Sequence, residues 1–460
     1  MLKKLCSFLL VSALCLSLAA CGKPETAAPE TPSAPVAQNE PVTPDKPAPV
    51  QEETPAASPA EETPEAGEKP DAGTSSVYEP ERCETDALTW EFDADTGTLS
   101  VHGEGPMRDY SGEAPEWEPY KDQILAVSLD DGITSVGAYA FYNYLCLTEV
   151  RLPDSVEVID VSAFDYDWEL RSITIPASLK YVGDRAFYNT LLWEPEDLVF
   201  PEGCEYIGDE AFHSALKTGG SVSLPSTLKY LGERSFTNAY LSDFTVAEDN
   251  EFYCSENHAV YTKDMKSLLM FAPVTEGMSE FRIPDGVEKI SAECFNVMQG
   301  VETVYIPASV TEIEEEAFFS TFDLKKITVD EANPNYRSEN GLLLSRDGTL
   351  LLAWPDGTEV SELVIPDGVE RLGAYLFYGR YDSPYTVVLP ESVREIGTMS
   401  LPANMASLTL PSGLEKIDDY VFYEGLSVAG IHYNGTAADW EKIVIGENNT
   451  VLDSTPIQMS

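Results

Sequence analysis

The sequence predicts a mostly β solenoid: an α+β or all-β stack of about ten short coils, with one parallel sheet, two β-hairpin insertions and a cap at each end. Three observations predict it. One phrase keeps returning, as IPASLKYVGDRAF at 175–187, IPDGVEKISAECF at 283–295 and IPASVTEIEEEAF at 306–318. Its proline recurs at 153, 176, 201, 225, 284, 307, 366, 390 and 411, with Asp130 standing in for a first copy, and the aromatic always follows 11 residues later, broken only by Leu401. The distance from that position to the next proline runs 12, 12, 14, 13, 48, 12, 48, 13 and 10, so all length variation lies in one half of the coil. A stack requires this, because the half that registers with its neighbour cannot change length while the other half bulges into solvent.

The first 21 residues read as an address. Lys3 and Lys4 precede the apolar run LCSFLLVSALCLSL, which is short for a membrane span. Leu18-Ala19-Ala20-Cys21 resembles the lipobox of bacterial lipoproteins, which implies lipidation of Cys21 and cleavage before it. Two or more acyl chains, at about 0.8 kcal/mol per buried methylene, then hold the protein on a bacterial membrane, outside the cytoplasm. Residues 22–78 hold 12 of the 32 prolines and 11 acidic against 3 basic residues, with no Leu, Ile, Phe or Trp. Such a stretch cannot offset its ordering entropy by burial and is expected to be a disordered tether.

Residues 79–126 are expected to form a β-rich N-terminal cap. Its DADTG at 93–97 lacks the glutamate of a calcium loop and lies between two alternating runs, so a hairpin turn is the better reading. The coils span 127–426. Positions three and six after the ruler proline are apolar in every copy, from Ile133 and Val136 to Leu414 and Ile417. Before each proline the chain alternates, as in VRLP, ITIP and VSLP, which reads as a short strand ended by a residue that cannot donate to the ladder. Gly137, Gly183, Gly208, Gly232, Gly373 and Gly397 follow the second core position, where a tight coil is expected to favour φ > 0, although Asp160, Ser291, Glu314 and Asp418 fill the same slot, so the need is not absolute. The two 48-residue intervals contain related segments, SENHAVYTKDMKSLLMFAP and SENGLLLSRDGTLLLAWP, which align with one residue added in the first turn and predict two matching hairpin protrusions. Residues 427–460 are expected to cap the far end.

The repeat L-x-x-I-x-I-P-x-S-V-x-x-I-G-x-x-A-F resembles the BspA-type leucine-rich repeat of bacterial cell-surface proteins, and IHYNGTAADWEKIVIGENN resembles the C-terminal cap of that family. The resemblance implies a leucine-rich-repeat solenoid with an adhesive or ligand-capturing role. Family copies often carry Cys or Asn three residues after Phe; here Tyr144, Asp167, Thr190, Ala215 and others fill that slot, so the internal polar ladder is expected to be largely absent.

Chemistry is quiet by comparison. With 28 basic against 79 acidic residues and a formal charge of −51, the chain lacks the cationic clusters that phosphate backbones require, which excludes nucleic acid. His102, His213, His258 and His432 lie in different repeats or caps without metal-ligand spacing, and no nucleophile elbow, zincin or phosphate-loop motif occurs. No enzyme, metal or cofactor is expected. Cys83, Cys146, Cys204, Cys254 and Cys294 do not form a disulfide framework; Cys204 and Cys294 take apolar core slots, and the spacing assigns no pair. What remains is a surface. The outward strand residues Arg151, Thr174, Val199, Ser223, Arg282, Tyr305, Val364, Val388 and Thr409 form the candidate binding face. The expected function is a monomeric, surface-anchored module that binds an unidentified protein or polysaccharide there and on the two hairpins, with a surface hydrolase or an envelope spacer as alternatives.

Overall fold

Each ruler proline ends a strand, and the strands before successive prolines lie side by side in parallel. A computed structural model describes residues 88–460 except 195, 218, 275–276, 359, 361, 378–383 and 424. The leader, the tether, Cys21, Cys83 and the start of the first cap fall outside the described residues. The chain divides between Glu62 and Thr63 into two units, and all described residues belong to the second. The ladder runs from Thr98–His102 to Ser172–Ile173, from Leu198–Val199 to Asp243–Val246, from Glu280–Arg282 to Lys326–Val329 and from Glu362–Val364 to Ile457–Met459. At its start, Thr89–Asp93 folds back antiparallel on Thr98–His102, and Asp93 accepts from Asp95 N and Thr96 Oγ1 in the turn, so DADTG is a hairpin.

The array is a β solenoid of about 14 turns rather than ten. Proline undercounts because Thr98–His102, Asp243–Val246, Lys326–Val329 and Ile431–Tyr433 pair in the ladder without being followed by one. The α component is slight: among the described residues, α-helix is confined to Ala437–Trp440 and Val451–Ser454.

A second parallel ladder, which the sequence did not reveal, is built from the residues five and six after the ruler, such as Val158–Ile159, Tyr181–Val182, Tyr206–Ile207 and Tyr230–Leu231. The third side of each coil is neither strand nor helix. Nine residues after the ruler, Tyr139, Ser162, Arg185, Glu210 and Arg234 are left-handed, with φ of 50–58°. A left-handed residue with a side chain costs roughly 1–2 kcal/mol. Bonds to the following coil offset that cost: Tyr139 N donates to Val161 O, Phe141 N to Ala163 O and Asn143 N to Asp165 O, at 2.7–3.0 Å.

The glycines after the second core position correct the sequence expectation. Gly183, Gly208 and Gly397 do not have positive φ. They are glycine because the previous coil passes too close: a Cβ on Gly208 would lie 2.5 Å from Asp184 N, and one on Gly397 2.6 Å from Leu372 O. The left-handed glycines sit two residues after the ruler instead, at Gly132, Gly203, Gly286 and Gly368. There a hydroxyl from the next coil accepts each N–H: Ser155, Thr227, Ser309 and Ser392 respectively. Ser155, Thr227 and Ser392 also donate back to the carbonyls of Ile133, Cys204 and Val369.

Inside, Phe141, Phe164, Phe187, Phe212 and Phe236 stack face to face at 5.0–5.4 Å, tilted by 3–15°. The two insertions interrupt this column. Each is a three-stranded meander, Tyr253–Glu256, Ala259–Thr262 and Ser267–Phe271 in the first, and Tyr336–Glu339, Leu342–Ser345 and Leu350–Ala353 in the second. The last strand of each joins the second parallel ladder, against Lys289–Ile290 and Arg371–Leu372. They are not protrusions. Val260, Met270 and Ala272 pack into the core cluster on the N-terminal side, while Ala259, Tyr261, Leu268 and Phe271 pack into the next. Leu343 and Ala353 likewise face one core, and Leu342, Leu344 and Leu351 the other. Both meanders are therefore walls with two apolar faces, which is why they read as near-continuous apolar runs. Their pairings match from Tyr253 and Tyr336 onward, Val260 opposite Met270 as Leu343 is opposite Ala353, so the extra residue lies at the exit beside Ala272 and not in the first turn.

Candidate interaction surface

The strands set the geometry of the predicted face. Arg151 pairs with Ser128, and strand by strand the register continues in three further rows: Val199 to Ser223 to Thr245, Arg282 to Tyr305 to Thr328, and Val364 to Val388 to Thr409 to His432 to Gln458. Thr174 lies one residue beyond its strand. None of the nine predicted residues is buried, and Val199 and Val364 are 60% and 63% exposed. The column is not continuous: the insertion walls divide it after Thr245 and after Thr328, and it also breaks between Thr174 and Val199, where no wall lies. Sequence reasoning missed Ser128, Thr245, Thr328, His432 and Gln458, whose strands lack the ruler proline; the alternation in DFTV and KITV was the available signal.

Charge on this face is largely paired. Glu149 takes Arg151 at 2.8 Å and Glu280 takes Arg282 at 2.6 Å. The Arg282 guanidinium lies 3.9 Å over the Tyr305 ring, and Tyr305 donates its hydroxyl to Asp330 at 2.6 Å, which lowers the Asp330 pKa. Asp197 accepts both the N–H and the hydroxyl of Ser221 in the next coil, and these bonds lower its pKa. Between these ties Val199 and Val364 stand exposed, Val199 close in sequence to Asp197 and Glu202, Val364 to Glu362 and Asp367.

The opposite side of the coil holds buried carboxylates. Asp167 is fully buried in the slot after Phe164; its Oδ1 accepts Tyr144 N at 2.6 Å, and desolvation raises its pKa well above the ordinary carboxylate value. Together with Thr190 and Thr321, whose hydroxyls donate to Phe187 O and Phe318 O, it shows that side chains in this slot still tie up backbone groups where Asn or Cys is missing. Glu293 is pushed up to about 7 by burial, against the pull of Arg234 3.5 Å away. It lines a water-sized cavity with Phe236, Phe271, Cys294 and Asn296, at the boundary between the first two cores. Burial also holds the His213 imidazole well down, at about 4. Among the described residues no group of His, Cys, Asp and Glu is arranged to hold a metal ion, and no helix is long and apolar enough to cross a membrane. Cys204 and Cys294 are buried, and burial raises both thiols.

Against known proteins, residues 134–257, 270–340 and 356–445 match the model of the BspA type leucine rich repeat region, in six copies. No curated protein matches. Among solved structures, a leucine-rich repeat protein from Eubacterium ventriosum is 20% identical with a TM-score of 0.49, covering 76% of this chain and 92% of that one. A leucine rich cell surface protein from Faecalibacterium prausnitzii is 19% identical with a TM-score of 0.44, covering 80% and 98%. The repeat matches extend over more than half of the chain and fall on the coils whose proline, apolar and aromatic positions are described above, and the chain therefore belongs to the BspA-type leucine-rich-repeat family.

Proposed function

We propose that the protein is a non-enzymatic interaction module, held outside the cytoplasm by lipid on Cys21, that captures a protein or glycan on its strand face. The observation that carries this reading is the row of unburied outward side chains on strands whose backbone is locked on both sides by neighbouring coils. Rigid presentation lowers the ordering cost of binding, and a face whose charges are paired meets a partner without a wall of carboxylates. The Lys3, Lys4 and Leu18–Cys21 pattern supports the anchor. A hydrolase reading would require accessible acid and base groups. The buried carboxylates support it poorly, since Asp167 is fully enclosed and Glu293 faces Arg234 beside a cavity that admits no substrate.

The test is a binding screen of the full chain against matrix proteins and polysaccharides, repeated with Val199→Glu and Val364→Glu combined. Both side chains are exposed, so the variant should keep its melting temperature while affinity for the captured ligand falls about tenfold or more. Equal binding by the variant would remove the strand face from the account.

A further inference from the structure

We propose that the edge of the N-terminal coils opposite the strand face is a second binding site, for a neutral polysaccharide chain. The proposal rests on the reading of the molecule as an interaction module but uses none of the strand-face residues.

Outside the buried phenylalanine column runs another set of rings. Tyr139 contacts Tyr142 with centroids at 5.8 Å, Tyr142 contacts Tyr166 at 6.2 Å, Tyr166 contacts Trp168 at 6.4 Å and Tyr188 at 5.6 Å, and Tyr188 contacts His213 at 4.9 Å. The core does not need them, since the inner phenylalanines already fill each coil. The inner rings stack nearly flat, whereas in the outer set the Tyr139–Tyr142, Tyr142–Tyr166 and Tyr166–Tyr188 planes are canted by 60°, 81° and 60°, and only Tyr166–Trp168 and Tyr188–His213 lie near parallel, at 19° and 13°. A canted ring leaves part of a face open. Tyr139 and Tyr142 are 36% and 39% exposed, and Tyr166, Trp168, Tyr188 and His213 are half-buried. Tyr139 and Tyr142 thus form an exposed apolar patch at one end of the set.

Three properties select the occupant. A pyranose ring presents a C–H face that packs on an aromatic ring and hydroxyls that bond to phenols, which suits rings with an apolar body and a polar tip. The spacing agrees. Coils repeat at the strand separation of about 4.8 Å. The step of an extended glycan per sugar is nearer to this coil repeat than the about 3.3 Å per residue of an extended peptide. Charge then decides between kinds of glycan. Arg185, 3.8 Å from the Tyr188 ring centroid, is paired with Asp165 at 3.0 Å and Glu210 at 3.1 Å, and the His213 imidazole is uncharged at neutral pH. A chain of formal charge −51 repels an acidic sugar.

The full chain should be run through native gels cast with soluble neutral glucan, xylan or mannan, with dissociation constants taken from the retardation. Retardation by at least one glycan is expected, undiminished by added salt, with affinity reduced about tenfold or more in Tyr142→Ala and in Trp168→Ala. Unchanged near-UV circular dichroism in the variants would show that the coils remain intact. Val444→Ser, at an exposed position of the C-terminal cap that belongs to neither surface, should be retarded like the wild type. No retardation by any of the three glycans, or equal retardation of the edge variants, overturns the proposal. Retardation abolished only by the strand-face variant moves the glycan to the other site and also overturns it. Should a protein ligand bind through the strand face while no glycan binds, the interaction-module reading stands and this inference alone fails.

Discussion

At the scale of single residues, two kinds of glycine are needed for opposite reasons. Gly208 has an ordinary backbone but no space, and Gly286 has space but φ of 103° and nothing within 4 Å of its missing Cβ. Gly208→Ala should destabilise by about 1–3 kcal/mol through the forced separation of two backbones. Gly286→Ala should cost about 1–2 kcal/mol through conformation alone. Urea unfolding separates them when Gly286→Asn is added, because asparagine tolerates left-handed backbone and should recover part of the loss. The sequence could not distinguish these cases, since both appear only as a recurring glycine. Asp167 offers a second test. Its folded pKa is raised, so the folded chain holds the proton more tightly than the unfolded chain, and stability falls as pH rises above the ordinary value of 3.8. Asp167→Asn keeps an oxygen for Tyr144 N and removes the titration. The variant should gain on the wild type as pH rises above about 4, seen as a growing difference in urea midpoint.

At the scale of elements, the recurring phrase made the strands before proline and the phenylalanine column legible, because apolar spacing reports what touches the next coil. Left-handed backbone leaves no such mark: the residues nine after the ruler include Tyr139, Ser162, Arg185 and Glu210, which share no chemistry, so the third side of the coil was invisible. The insertions were recognised as relatives but misplaced as protrusions, since a hairpin pattern does not say whether one face or two will be covered. Their likeness extends to side-chain bonds. Asn250 donates to Pro225 O and Leu228 O as Asn333 does to Pro307 O and Val310 O, and the Tyr253 and Tyr336 hydroxyls accept the Leu231 and Ile313 amides at 2.9 and 3.0 Å. Tyr253→Phe and Tyr336→Phe should each cost about 1–3 kcal/mol by stranding that amide. Because the two tyrosines pack against separate cores, each variant should lower the unfolding midpoint of its own compartment, and the double variant should show both losses. The candidate face was legible wherever a proline followed the strand and missed where none did, as at Thr245 and Thr328.

At the scale of the whole molecule, anchoring is the property that the described coils do not carry. Cys21→Ser should move the protein from the membrane fraction to the soluble fraction and leave the unfolding of the coils unchanged, as immunoblots of fractionated cells and thermal melts would show. The walls divide the interior into three cores, Leu99 to Ala272, Ala259 to Ala353 and Leu342 to Ile443. In a linear array each coil depends only on its neighbours, so stability is partitioned rather than shared. Were lipid to hold one end and a ligand to grip the coils, as proposed, such a protein need not be lost all at once. One compartment can stretch and re-form while the wall beside it keeps the next one dry.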